Sequence, residues 1–124
     1  MTCFLDLHVH TDASDDGRST LAQMAAAARA AGLHAMAVTD HNLCTPVPAV
    51  LEGVLLIPGC EVSTQSGHIT GLFLERPLDL KNLRRDGLPT AQAACEEIHR
   101  CGGLAVLAHP FEKRNAQPCT GAAY

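Results

Sequence analysis

The chain has 124 residues, 47% of them hydrophobic and 18% charged, with a net charge of −4 and an isoelectric point near 5.9. That length supplies one modest core and no more, and the acidic balance argues against a stable nucleic-acid surface. No stretch reaches membrane-spanning length, and no basic or long apolar segment precedes the first strand, so a cytoplasmic protein with no membrane partner is expected.

The first apolar run, Cys3 to Leu7, barely alternates and predicts a buried parallel strand. It ends in His8-Val9-His10. Residues i and i+2 of a strand share a face, so two imidazoles, about 6–7 Å apart at their Cα atoms by strand rise, project together. Taken alone, the pair either shares a metal ion or marks where the strand leaves the core. Asp6 faces the side of His8 if the strand is regular, where it would support the ring from behind. The loop Asp12 to Gly17 follows and carries Asp15 and Asp16. Ser19 or Thr20 then caps a helix from Leu21 to Ala31 that Gly32 stops. Its stripe of Leu21, Met24, Ala25 and Ala28 is small enough for close packing on a sheet.

A second run, Leu33 to Val38, ends in Thr39-Asp40-His41, where Asp40 is expected to orient a ring or cap a turn. Pro46 to Gly53 reads as a short helical turn. The third run, Val54 to Pro58, ends in Gly59-Cys60-Glu61, and the fourth, Ile69 to Leu74, follows Gly67-His68. Pro77 to Pro89 is a charged surface connector. Thr90 caps a helix from Ala91 to Arg100 that ends at Cys101-Gly102-Gly103, and a fifth run, Leu104 to Ala108, leads to His109-Pro110. His34 and His99 are expected at the surface. One domain over residues 1–112 is followed by a tail, 113–124, without recognisable structure. The six cysteines (Cys3, Cys44, Cys60, Cys95, Cys101 and Cys119) form no CxxC pair and read as free thiols. Cys60 would point away from Glu61 in an extended strand.

Four of the five runs deliver a His or Glu at their C-terminal ends, where parallel α/β folds place their chemistry, and the other carries His68 at its start. The cluster reads as a metal site. In order and spacing, His8-Val9-His10-Thr11, Thr39-Asp40-His41, Gly59-Cys60-Glu61, Gly67-His68 and His109-Pro110 resemble the successive motifs of the PHP (polymerase and histidinol phosphatase) family.

The resemblance implies an α/β fold, a partial distorted (β/α)7 barrel with the metal site at the C-terminal ends of the strands. It implies two or three divalent metals (zinc, manganese or iron) and hydrolysis of a small phosphomonoester or short nucleotide by metal-activated water. Carried over residue by residue, His8 and His10 bind a first metal, and Glu61 bridges it to a second that His68 and His109 complete. His41 binds a third with Asp15 or Asp16; Ser14-Asp15-Asp16-Gly17 resembles the family's Ser-Asp-Gly element, and Asp15 is favoured. Glu61 and His109 are the residues implied in catalysis, and Arg18, Lys113 and Arg114 are candidates to clamp phosphate.

The chain also departs from the family. Such domains usually continue and end in an Asp-x-His motif, which nothing after His109 matches. An N-terminal portion of a PHP barrel is therefore expected. Alternative readings are a metal-binding remnant with little or no activity and a non-hydrolytic accessory module. Five strand-like runs cannot close a seven-stranded barrel, so an unpaired edge and a homo-oligomer, most simply a two-fold dimer, are expected.

Overall fold

A computed structural model describes residues 1–112. In chain order the elements are β1 (Leu5–Val9), α1 (Leu21–Ala30), β2 (Ala35–Val38), β3 (Val50–Leu51), β4 (Val54–Thr64), β5 (Gly67–Leu72), α2 (Leu80–Leu83), α3 (Ala91–Arg100) and β6 (Leu104–Leu107). The strand order is β1-β2-β4-β5-β6, with β3 hydrogen-bonded to β4. β1, β2 and β4 are parallel, whereas β5 is antiparallel to both β4 and β6. This is the expected partial α/β barrel, built as an open, curled mixed sheet. The curl is measurable at its two ends: the rings of His8 on β1 and His109 after β6 have centroids only 5.9 Å apart.

The helices cover the outer face. α1 starts at Thr20, which forms a capping box with Gln23. It buries Ala25 and Ala28 against Met36, Val38, Val54 and Leu56. α3, capped by Thr90, buries Ala91, Ala94 and Ile98 against Cys60, Val62 and Ile69. Gly71 makes this closeness possible, because a Cβ there would meet Ile98 Cγ1 at 3.0 Å. The inner face holds a smaller cluster of Ala35, Ala37, Ile57 and Leu72. Leu5, Ala35 and Leu55 lie in register across three strands of that face, yet Leu5 is 52% and Leu55 56% exposed. An unclosed barrel leaves part of its interior in water.

Several expectations change. β1 is parallel, but only Val9 of it is buried, because β1 is an edge strand. Pro46 to Gly53 is not helical: β3 pairs back onto β4 through Glu52 (φ 52°) and Gly53 (φ 76°), the double positive φ of a type I′ hairpin. β4 runs past Pro58 to Thr64, so Glu61 lies inside a strand and not beyond its end. β5 begins at Gly67, which takes His68 into the strand. The connector from Pro77 contains α2 and buries Leu78 in the α3 core. The expected tail at 113–124 lies outside the described residues. No helix among the described residues is long and apolar enough to cross a membrane.

The chain's ends of the sheet, β1 and β6, present unpaired backbone beside exposed Leu5, Leu7, Leu104 and Val106. Such edges recruit a second chain, and self-association at micromolar concentration is the expected outcome. Sedimentation equilibrium giving a stable monomer with a cooperative melt would reject it.

A second expectation concerns α3. Glu97 accepts the Asp79 N–H at 2.7 Å and both Nε and Nη2 of Arg100 at 2.8 and 2.7 Å. The Arg100 guanidinium, ahead of the opposing effect of burial, holds the Glu97 carboxyl down to about 2. A carboxyl lowered from an ordinary value near ~4.3 stabilises the fold above that pH, and loses this contribution as pH falls through about 2. Glu97→Ala should therefore cost about 1 kcal/mol at neutral pH, a figure kept small because Arg100 faces solvent. In urea melts the gap between parent and variant should close between pH ~4.3 and ~2.

Candidate metal centre

β1 delivers its two imidazoles through an irregularity. Asp6 pairs with Met36 and Val9 with Val38, so β1 carries one residue more than β2 between these pairs. Bulges of this kind re-aim side chains beside functional sites. Inside it, Asp6 Oδ1 accepts the His8 N–H at 3.0 Å, so Asp6 shapes the backbone under His8 and does not support its ring. The Nε2 atoms of His8 and His10 finish 3.1 Å apart. Two nitrogens each about 2.0–2.1 Å from one ion are separated by about this much.

Both nitrogens face Glu61, whose exposure is 0%. Its Oε2 lies 2.9 Å from His8 Nε2, 2.7 Å from His10 Nε2 and 3.5 Å from His41 Nδ1. Its Oε1 lies 2.9 Å from both His68 Nδ1 and His109 Nε2. Strand direction explains His68: β5 runs against its neighbours, so its first residues lie at the end of the sheet where β1, β2 and β6 finish. Across the β4–β5 ladder Glu61 pairs with Thr70, and His68 stands diagonally, two residues before it. His109 takes φ 30°, a left-handed backbone that a non-glycine rarely adopts.

Burial alone would push the Glu61 carboxyl up, but hydrogen bonds from His10, His68 and His8 outweigh it and hold the group far below the carboxylate range. The same bond to Glu61, against desolvation and with help from Asp16, raises His10 to about 9. A proton on the His10 imidazole thus offsets the buried anion, and a cation would take its place. The donor set of neutral nitrogens and carboxylate oxygens suits zinc, manganese or iron. Thr70 Oγ1, opposite Glu61, is buried without a hydrogen-bond partner among the described residues, as expected where a further polar group belongs.

A second carboxylate closes the other side. Asp16 Oδ2 lies 2.8 Å from His10 Nδ1 and 3.0 Å from His41 Nε2. Asp15, the favoured residue, is exposed and takes no part in these contacts. Asp15 and Asp16 are the two central residues of a turn closed by the Gly17 N–H, which donates to the Ser14 carbonyl at 3.1 Å, and Asp16 is the one that reaches the rings. Gly17 has no substitute here, because a Cβ would fall 1.7 Å from the Thr11 carbonyl oxygen.

Of the two roles expected for Asp40, the turn cap is borne out and the ring support is not. Asp40 contacts no imidazole and is fully buried. It accepts the Thr11 N–H at 2.7 Å, the Thr11 hydroxyl at 2.8 Å and the Ser14 hydroxyl at 2.8 Å, and also the Thr45 hydroxyl. Ser14 Oγ in turn accepts the His41 N–H at 2.8 Å. Burial would raise Asp40, but hydrogen bonds from Thr45, Thr11 and Ser14 keep it ionised below the usual range. Asp40 therefore pins the loop that carries Asp16 to the strand end that carries His41. Sequence reasoning missed Thr11, Ser14 and Thr45 as its partners, since hydroxyl residues in loops have no ligand-like spacing.

Among the described residues, three sets of side chains place ligand atoms within 4.8 Å of one another: His8, His10 and Glu61; His10, Asp16 and His41; and His41, Glu61 and His68. The expected partner of Glu61 and His68 was His109; in this last set it is His41, and His109 reaches the cluster through Glu61 Oε1. His34 and His99 are exposed, as expected; His34 Nδ1 accepts the Phe4 N–H at 3.0 Å. Arg18 is exposed, and Lys113 and Arg114 lie outside the described residues.

The PHP domain profile matches residues 6–97. The match takes in every side chain of the cluster except His109, and stops before β6. An uncharacterized protein of Methanocaldococcus jannaschii is 29% identical over 121 aligned residues, which cover 86% of this chain and 67% of that protein.

Replacing Asp40 by Asn puts an amide N–H where hydroxyl and backbone donors converge. Leaving such buried donors unpaired costs about 1–3 kcal/mol. The variant should lose that much in urea unfolding and bind less metal per chain. A loss under ~0.5 kcal/mol, within the ordinary range of surface substitutions, would show that the loop is held by other means.

Proposed function

This chain belongs to the PHP domain family, and on that premise we propose that it is a metal-dependent phosphoesterase module acting on a small phosphomonoester or short nucleotide. One observation carries the reading: a fully buried carboxylate, Glu61, offers each of its oxygens to a separate group of imidazoles. A carboxylate with both oxygens so placed can bridge two cations. His8, His10 and Glu61 would hold one ion and Glu61, His68 and His41 or His109 another, while His10, His41 and Asp16 would hold a third. Such ions, when bound, draw phosphoryl oxygens and bring a water's pKa towards neutrality.

The chain's own residues then do the rest. Glu61 stays anionic and fixed, because the surrounding imidazoles leave it no freedom to rotate. His8 and His109, with about a third of each side chain exposed, form the rim facing solvent. Where His41 completes the second ion, His109 is the candidate to act beside a bound ester. Asp40 positions Asp16 and His41 without touching substrate. A net charge of −4 would repel a phosphate in the absence of cations, so substrate binding should depend on metal.

A second reading, a metal-binding module with little hydrolysis, is supported by the two open sheet edges and by a family match that ends at residue 97. Metal analysis and aryl-phosphate hydrolysis, run on the same preparation, separate the two. Glu61→Gln should lose more metal than His68→Ala and at least ~100-fold of any activity, more than is usual for groups that only support a ligand. Metal stoichiometry equal to the parent in Glu61→Gln would sink the bridging role. A metal-loaded parent that cleaves nothing would favour the second reading.

A further inference from the structure

We propose that the gap between β1 and β6 seats the alcohol half of the substrate, and that it takes one small, largely apolar ring carrying a single hydrogen-bonding group. The substrate role rests on the metal-centre reading, whereas the binding of a ring there does not. The gap is a cavity of about 230 Å³, walled by Leu7 of β1, Leu72 of β5 and Val106 of β6. His8 and His109 line it too. Each of these imidazoles lies 2.9 Å from an oxygen of Glu61, so the cavity adjoins the cluster directly. An ester held at the cluster would have its alcohol half beside these walls.

Thr70 selects among such rings. It lines the same cavity and is only 3% exposed, and its Oγ1 has no hydrogen-bond partner among the described residues. Register sets its direction: Thr70 pairs with Glu61 on one side and with Val106 on the other, and directly opposite residues of antiparallel strands share a face. Leu72, two residues on, belongs to the inner cluster. The hydroxyl therefore stands on the inner face, the face of Glu61 and of the cavity. A buried hydroxyl without a partner costs the fold free energy. Valine has nearly the same shape and carries no such cost, so the hydroxyl adds nothing to the core and is available to a ligand.

Size and polarity then define the ligand. An apolar cavity of about 150 Å³ already admits benzene, and sites for drug-sized ligands begin at about 300 Å³. At about 230 Å³, the gap fits a single ring with a small substituent. A sugar would set several hydroxyls against Leu7, Leu72 and Val106, where they find no partners. Thr70 can satisfy one polar group, by donating to it or accepting from it. Asp6 borders the cavity as well, exposed and already accepting the His8 N–H. An aryl phosphomonoester meets these conditions and a sugar phosphate does not.

The test titrates the intact, metal-free chain, labelled with nitrogen-15, with phenol and with myo-inositol. Phenol at millimolar concentration should shift the amide signals of Thr70, Leu72 and Val106, and myo-inositol should not. Thr70→Val should weaken phenol about 3–10-fold, the loss of one hydrogen bond, and leave toluene binding unchanged. The same variant should resist urea at least as well as the parent, because its lost hydroxyl had no partner. Val106→Phe should fill the gap and abolish the binding of both aromatic probes, while the shifts in the parent do not depend on either variant folding. On the cobalt-loaded chain, phenyl phosphate should exceed glucose 6-phosphate at least ~10-fold in kcat/KM. Shifts elsewhere, equal shifts with myo-inositol, or none at all, as when a second copy fills the gap, overturn the ring site. A ring that binds with no preference for phenyl phosphate, or with neither ester cleaved, overturns its substrate role. A chain that takes up no cobalt overturns the metal-centre reading and that role together, while the shifts still decide the ring site.

Discussion

A carboxylate at zero exposure in the middle of a strand is the constraint around which this fold is arranged. An unpaired buried charge costs far more than a domain of this size can spare, so Glu61 must be met by donors from every side. No single element can supply them. His8 and His10 come from β1, His41 from the end of β2, His68 from β5 and His109 from the turn after β6. A flat sheet would hold β1 and β6 far apart. Only a curled one brings their imidazoles to the same carboxylate, and the curl is what gives the partial barrel its inside. Site and architecture are thus one requirement, stated once electrostatically and once geometrically.

The side chains of the cluster were visible in the sequence because a strand end carrying His or Glu is a local pattern. What joins them was not. The run Val54 to Pro58 looked complete because Pro58 and Gly59 usually break strands, yet β4 continues through both. Gly59 sits where β4 crosses close to β5: a Cβ would come within 2.7 Å of the Gly71 carbonyl. The glycine that reads as a stop is there to permit continuation. The direction of β5 was equally hidden, since apolar alternation is the same in either direction, and so nothing explained why His68 starts its run while the others end theirs. The extra residue in β1 and the choice of Asp16 over Asp15 depend on backbone hydrogen bonds that no spacing reveals. Asp40 shows the limit best. A buried aspartate beside a histidine suggests support for a ring or the cap of a turn, and no spacing reveals that its partners are the Thr11 N–H and hydroxyls from two loops far apart in sequence.

Packing and chemistry divide the sheet between its faces. On the outer face alanines let α1 and α3 approach closely, and the core there is complete, with Met36, Val54, Val62, Ile69 and Ile98 buried. On the inner face the pattern below Glu61 is apolar but unfilled: Leu5 and Leu55 flank Ala35 in one row and stay half in water. Burial of a leucine side chain is worth about 1.5–3 kcal/mol, so those two residues mark where further chain or a second copy would add the most stability. The outer core needs neither.

That division bears on how folding and metal binding relate. In small zinc domains the metal supplies the folding energy, and the apo chain is unfolded. Here the outer core forms from apolar contacts alone, and the carboxylate that most needs a partner already has several. The His10 imidazole can carry a proton in place of metal, as its rise to about 9 indicates. A metal-free chain is therefore not left with an uncompensated buried charge, and its secondary structure does not wait for the ion. On the proposed metal-centre reading, metal binding would exchange a proton for a cation within a site already assembled. It tightens the site more than it builds the fold, and it asks of Asp40 and the β1 bulge only that the ligands be in place beforehand.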